Sequence, residues 1–309
     1  MLKVWPFLTM DNFYEIQFPS LVKIDNKNLL CRLKQLFLFI YNIAGHLQLG
    51  SVLRNNCFKA MVHHHLRIQY KYLGEYLVYG FSAKQKLVSL TESYRYLMPL
   101  VSKKNALNGI QSGIVLWSQP YNNDEFSITL EIPELTYREG EWVLAFNANK
   151  TTIFTMSFTL LPAEIVEKDN PELAVLIGGV QGTAGCSDWI KLAAKANGDI
   201  FPSILLFTAL QALALSWRVN TIFAVTAAKQ ISPVVRENAE RYLNTYDKFW
   251  ESQGGVLVND FYKFSPLPAE KPASDLSGTH SARSKRKRAL RKQLLESISA
   301  YCERLFAVD

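Results

Sequence analysis

Residues Leu173 to Lys191 read LAVLIGGVQGTAGCSDWIK, an apolar run that enters Gly178-Gly179-Val180-Gln181-Gly182. Such a glycine run either cradles a phosphate or shapes the end of a strand. A phosphate-binding P-loop needs its glycines to open a helix and to end in Gly-Lys-Ser/Thr. Here TAGCSDW follows, not directly a long apolar helix, and the Gly-Lys-Ser/Thr ending is missing. Gly178-Gly179 therefore read as a bulge or kink in a strand, where a ligand or another backbone comes close. Gln181 sits at the strand end. Its amide can hydrogen-bond a substrate carbonyl or amine, or cap the turn. Asp188 and Glu251 are candidate bases or, more simply, solvated carboxylates. His63-His64-His65 does not read as a metal site, because adjacent helical residues point about 100° apart and cannot face one ion.

The elements that position these residues follow from composition and patterning. The chain has 309 residues, 49% hydrophobic and 20% charged, enough for a sizeable core. Cys31, Cys57, Cys186 and Cys302 are scattered without CxxC spacing, which argues against a zinc site or disulfide scaffold and fits a reducing compartment. Leu33 to Leu53 is the most apolar long window. Lys34, Gln35, Asn42, His46 and Gln48 interrupt it, so it reads as a buried or amphipathic helix and not as a membrane span. The net charge of +7 is local: Arg283, Lys285, Arg286, Lys287, Arg288, Arg291 and Lys292 equal the whole excess.

Three regions are expected, 1–110 helical, 111–268 an α/β core, and 269–309 a linker with a basic helix. In the first, Ser82 before AKQK is a plausible N-cap, and Leu77, Phe81, Leu87, Leu90, Tyr94 and Leu97 lie at mixed helical spacings. From Ser112 the pattern changes to short runs of β-branched and aromatic residues. YNNDE, REGE, NANK and KDNPE separate them, which predicts an antiparallel meander of about four or five strands. A long helix from Pro202, the strand TIFAVT, a helix PVVRENAERYLNTYDKFWESQ stopped by Gly254-Gly255, and a last strand or two in GVLVNDFYKFSPLP complete an α+β fold. The tail helix ends near Phe306. It places Leu290, Leu294, Leu295, Ile298, Tyr301 and Leu305 on one side to dock, with its basic face outward.

The segments YKYLGEYLVYGFSAKQKLVSLTESYRYL, LAVLIGGVQG, ILLFTALQALALSWRVNTIFAV, YDKFWESQGG and SARSKRKRALRKQLL resemble the VirK/YbjX family of bacterial proteins, over residues of about 50 to 305. Two stretches depart from its pattern: ANGDIFPS lacks the basic residues expected there, and TAAKQIS lacks a histidine. The resemblance implies an envelope-related role associated with virulence and with resistance to envelope-directed peptides.

The element order also resembles the GNAT acyltransferase fold. That likeness implies acyl-CoA or acetyl-CoA as co-substrate and an amine acceptor. It implies a splayed strand whose residues here are Gly179 and Val180, and a loop-to-helix turn that holds the coenzyme pyrophosphate. The loop pattern Arg/Gln-x-x-Gly-x-Gly/Ala is partly met by Lys195, Gly198 and Ile200, so Lys195, Asn197, Gly198 and Ser203 join Gly179 and Val180 as the cofactor-binding candidates. Free amides and the dipole at a helix start suit such a site. The position of the family's general-acid tyrosine holds Trp250, and an indole cannot deliver that proton. Tyr246, one helical turn earlier, is the substitute, or else Tyr246 and Trp250 are core packing with a polar tip. Tyr246 and Gln181 are thus the catalytic candidates.

Two functions are expected from these readings. One is a GNAT-like N-acyltransferase or an inactive relative of one. The other is a non-catalytic binding or regulatory protein at the inner membrane surface, held to anionic lipid by the basic helix. No metal and no nucleic acid are expected. The expected location is cytoplasmic, peripheral at the inner membrane.

Overall fold

The computed structural model describes residues 26–55, 68–101, 113–133, 136, 138–242, 246–267 and 279–306. The triple histidine lies outside them. Helices α1 (Asn26–Tyr41) and α2 (Ile43–Leu53) come first, then a 3₁₀ turn (Ile68–Leu73) and α3 (Ala83–Val101). Ser82 starts α3 with a capping box. Its hydroxyl accepts from the Gln85 amide at 3.2 Å, and its own amide donates to Gln85 Oε1 at 3.0 Å, satisfying two otherwise orphan donors. Leu77 is not part of that helix. It is buried in the preceding loop at φ 64°, where its amide donates to the Arg138 carbonyl at 2.8 Å.

Five strands follow as the predicted meander: β1 (Ile114–Tyr121), β2 (Asp124–Glu131), β3 (Trp142–Ala148), β4 (Thr151–Pro162) and β5 (Leu173–Gly182). The NANK turn between β3 and β4 holds Asn149 and Lys150 both at positive φ, as a two-residue hairpin turn requires. α4 (Ser187–Ala196) and α5 (Pro202–Ser216) then cross over to β6 (Thr221–Val225). A crossover of this length lets β6 lie parallel to β5, from Ala174 beside Thr221 to Ile177 beside Ala224. The hairpin β7 (Val256–Val258) and β8 (Phe261–Phe264) completes one eight-stranded sheet in the order β1-β2-β3-β4-β5-β6-β8-β7.

Both faces of the sheet are covered, which is why every residue of β3 is buried. Neighbouring residues of β4 show the two sides. The Phe158 ring meets Trp217 at the end of α5, while Thr159 donates to Ser93 of α3 at 3.2 Å. α5 is buried nearly all round because α9 (Thr279–Phe306) lies over it. Leu294, Ile298, Cys302 and Phe306 of α9 are buried in one core that also holds Leu49, Tyr94, Ile177 and Trp250. All three expected regions contribute to that core.

The expected helix Pro233–Gln253 is broken into α6 (Pro233–Glu237), α7 (Ala239–Tyr242) and α8 (Lys248–Ser252). Asn238 stands at the first break, where its side chain bonds back to the Val234 carbonyl at 2.9 Å. Before α8, Asp247 turns inward so that its carboxylate oxygens accept from the Ala227 amide at 3.2 and 3.3 Å. Gly254 at φ 87° ends α8, as the glycine pair predicted.

Candidate functional site

The opposing registers of β4 and β5 slip between Ser157–Gly179 and Phe158–Ile177, which leaves Gly178 as the extra residue of a bulge. The β2–β3 connection fills the space above it. A methyl group on Gly178 would stand 1.9 Å from the Glu139 carbonyl oxygen, and one on Gly179 would stand 2.1 Å from Glu139 Oε2. The close partner of this glycine pair is therefore the chain's own backbone. Only residues without a Cβ permit the approach.

Glu139 is held there by several short links. Its amide donates to the Thr136 carbonyl at 2.8 Å, and Thr136 in turn accepts from the Ser157 hydroxyl at 2.7 Å. The Glu141 amide donates to the Phe158 carbonyl at 3.0 Å. The loop before α3 ties in as well, since Tyr79 donates its amide to the Lys229 carbonyl at 2.9 Å. Behind it, Glu141 is buried with Lys71 at 2.7 Å and accepts from the Tyr94 hydroxyl.

Beyond Ile177, β5 has no strand partner on the β6 side among the described residues, because β6 ends at Val225. The segment after β6 enters the gap. Gln230 Nε2 donates to the Gly178 carbonyl at 2.7 Å and to the Tyr246 hydroxyl oxygen at 2.7 Å. Two acceptors in this cluster have no hydrogen-bond partner among the described residues: Glu139 Oε2 and Gln230 Oε1. Burial pushes the Glu139 carboxyl up to about 7. Burial also raises the Tyr246 hydroxyl, Gln230 opposes that rise, and the Glu139 charge adds to it. The arrangement pairs a carboxyl that ionises near neutrality with a phenol kept protonated, the combination of a general base and a general acid.

Gly179 and Val180 pair with Ser157 and Met156 of β4 and lie beyond the last β5–β6 pair, Ile177 beside Ala224. Gln181 is exposed and paired with Thr155. The glutamine bonded to Tyr246 is Gln230, in the TAAKQIS stretch. Trp250 is fully buried among Phe207, Phe249, Phe264 and Tyr246. Asp188 is exposed beside Lys191, and Glu251 accepts from the Tyr262 hydroxyl at 3.2 Å.

The turn from Lys195 to Ser203 does lead into α5, and Pro202 opens that helix. Two of its side chains, Asn197 and Asp199, are engaged elsewhere. Lys195 is exposed in the last turn of α4, Asn197 bonds back to the Ala193 carbonyl at 2.8 Å, and Gly198 at φ 65° ends that helix. α9 sits on the turn: Arg283 meets the Asp199 carboxylate at 2.5 Å, and Lys287 donates to the Asp199 carbonyl at 2.7 Å. A methyl group on Gly198 would stand 2.8 Å from Leu290. Ser203 is half-buried in the first turn of α5.

A different turn leads from the bulged strand into a helix. α4 opens at Ser187, shortly after Gly182, and the stretch Gln181–Gly185 is exposed with Gly185 at φ 79°. Helix geometry leaves the amides of its first turn without intrahelical acceptors.

No curated protein and no solved structure matches the chain. The model of a family described as "Protein of unknown function (DUF535)", the family containing VirK/YbjX, matches residues 30–303. That match covers most of the sequence, from the exposed first helix to the last turns of α9, and the chain belongs to that family.

Proposed function

We propose that the protein is a GNAT-like, acyl-CoA-dependent N-acyltransferase. The observation that carries the reading is the Glu139–Gln230–Tyr246 cluster on the β5 bulge, where β5 runs past its last pairing with β6. The meander, the bulged strand and the parallel crossover to β6 support the likeness in element order; no matching solved structure stands behind it.

The residues present fit an acyl-CoA. Past its last pairing with β6, the half-buried Val180 and exposed Gln181 of β5 would offer backbone groups to an extended chain, and the turn Gly182–Ser187 would offer amides at a helix start to phosphate. That turn suits phosphate better than Lys195–Ser203, where the Asp199 carboxylate stands and α9 is docked. When bound, the thioester supplies an electrophilic carbonyl. Glu139 takes the proton that the attacking amine loses as the C–N bond forms. Tyr246 gives its hydroxyl proton to the sulfur released as the C–S bond breaks, and solvent carries the proton back from Glu139 to Tyr246. Gln230 orients the phenol throughout.

The test is thermal shift and calorimetry with CoA, acetyl-CoA and longer acyl-CoAs. A species at 100 times its dissociation constant should stabilise the fold by about 2.7 kcal/mol. If no CoA species binds, the reading is wrong.

A second reading is a non-catalytic protein at the inner membrane surface. What favours it is that Lys285, Arg286 and Lys292 of α9 are exposed. What weakens it is that Arg283, Lys287 and Arg291 are bonded to the body, Arg291 to the Thr208 hydroxyl at 3.2 Å.

A further inference from the structure

The first described helix breaks the usual rule of an amphipathic surface helix, because its apolar stripe faces water. Leu30, Leu33, Phe37, Ile40 and Tyr41 of α1 are all more than half exposed, Tyr41 at 78% and Leu30 at 70%. At 3.6 residues per turn these five fall within an arc of about 100°. The other side turns to the body: Arg32, Gln35, Leu38 and Phe39 are half-buried, with Phe39 edge-on to His46 at 4.8 Å. Monomeric proteins rarely show water a contiguous apolar strip of this kind unless it binds something.

The charge pattern says what it binds. No acidic residue occurs from Asn26 to Leu53, while Lys27, Arg32 and Lys34 do. Lys34 is exposed and borders the apolar arc. A second protein copy would gain nothing from that one-signed charge, whereas an anionic headgroup layer would. The geometry fits a helix lying in the surface. No single described helix is long and apolar enough to cross a membrane. α1 and α2 qualify together by length and composition, but they bend by 77°, and α2 commits Leu49 and Leu53 to the core.

We propose that α1 is a membrane-surface helix, which lays Leu30, Leu33, Phe37, Ile40 and Tyr41 among the acyl chains of an anionic bilayer with Lys34 at the headgroups. Apolar residues on one face with lysines at its border are the composition of such interfacial helices. The proposal is independent of the acyltransferase reading and does not use the basic face of α9.

Flotation of the full chain with vesicles tests it, comparing phosphatidylglycerol/phosphatidylcholine mixtures with pure phosphatidylcholine. Wild type should float with the anionic vesicles and about tenfold less with the neutral ones. Leu33→Glu/Phe37→Glu, and the milder Leu33→Ser/Phe37→Ser, should each lose about tenfold in binding with an unchanged melting temperature, because both positions face water. Lys285→Gln/Arg286→Gln/Lys292→Gln in α9 should bind like wild type. Failure of wild type to float, or equal flotation of both α1 variants, overturns the proposal. So does loss of flotation only in the α9 variant. A solution dimer that the α1 variants dissolve, in a chain that does not float, overturns it too and assigns the stripe to a second copy.

Discussion

One nitrogen of Gln230 bridges the Gly178 carbonyl and the Tyr246 hydroxyl oxygen, 2.7 Å from each. A carbonyl only accepts, so the amide must turn its nitrogen toward Gly178. Tyr246 therefore accepts from Gln230, and its own proton is free to be given elsewhere. Tyr246→Phe removes that proton while keeping the ring against Trp250. If the acyltransferase reading holds, kcat should fall by about 10²–10⁴ with little change in KM. Gln230→Leu should lower kcat less, because it misplaces the phenol without deleting it. Steady-state acyl transfer to an amine checks both.

Glu139 gives a stability signature that is independent of any substrate. Its carboxyl is raised from 4.5 to about 7 in the folded protein by burial. The folded state therefore holds this proton longer than the unfolded state does. Stability should be fully present below pH 4.5, fall as pH rises toward 7, and level off above. At about 1.4 kcal/mol per unit the loss is on the order of 3–4 kcal/mol. Glu139→Gln cannot ionise and should flatten that slope, leaving the variant more stable than wild type at pH 8 in urea titrations. If the acyltransferase reading holds, the acyl-transfer rate of wild type should rise through the same range as Glu139 ionises.

The bulge predicts opposite outcomes for two glycines. Gly178→Ala forces a methyl group to within 1.9 Å of the Glu139 carbonyl, a backbone atom that cannot swing aside. It should cost about 3 kcal/mol or more in denaturant titrations. Gly50 lies within α2 and a methyl group there meets nothing within 4 Å. Gly50→Ala should stabilise by about 0.5–1 kcal/mol.

The buried pair Lys71 and Glu141 should respond to removal of one partner. Their side chains are 6% and 1% exposed, so Lys71→Met leaves a buried carboxylate without its cation, beside the Tyr94 and Tyr76 hydroxyls. The expected loss is about 3–5 kcal/mol. Lys71→Met combined with Glu141→Leu should recover part of it, and a double-mutant cycle reads the coupling directly.

What the sequence made legible was local. The Ser82–Gln85 cap, the Asn149-Lys150 turn and the Gly254 stop each depend on a few adjacent residues, and each lies where the pattern put it. The alternating runs likewise sufficed for the meander. The site was legible only at Gly178-Gly179 and Tyr246. Glu139 and Gln230 reach the bulge from 39 and 52 residues away in sequence, through loops without periodicity. A glutamate after Arg138 and a glutamine in TAAKQIS carry no local mark of burial. The short helix α4 was overshadowed by the uniformly apolar α5 that follows it, so the sequence pattern marked only the turn before α5. The seating of α9 on Asp199 was hidden for the same reason as Glu139, since Arg283 lies 84 residues away.

The layering of α9 over α5 has a consequence for synthesis. α5 is apolar on nearly every side, and its cover, such as Arg291 over Thr208, is encoded 83 residues later. At about 5–20 residues per second, the ribosome leaves that helix uncovered for roughly 4–17 s after it emerges. For that interval the nascent chain presents a greasy helix on a finished meander, the kind of surface that trigger-type chaperones hold and that proteases find first. Rare codons between Trp217 and Leu290 would lengthen the interval and lower the yield of folded protein without changing a single residue.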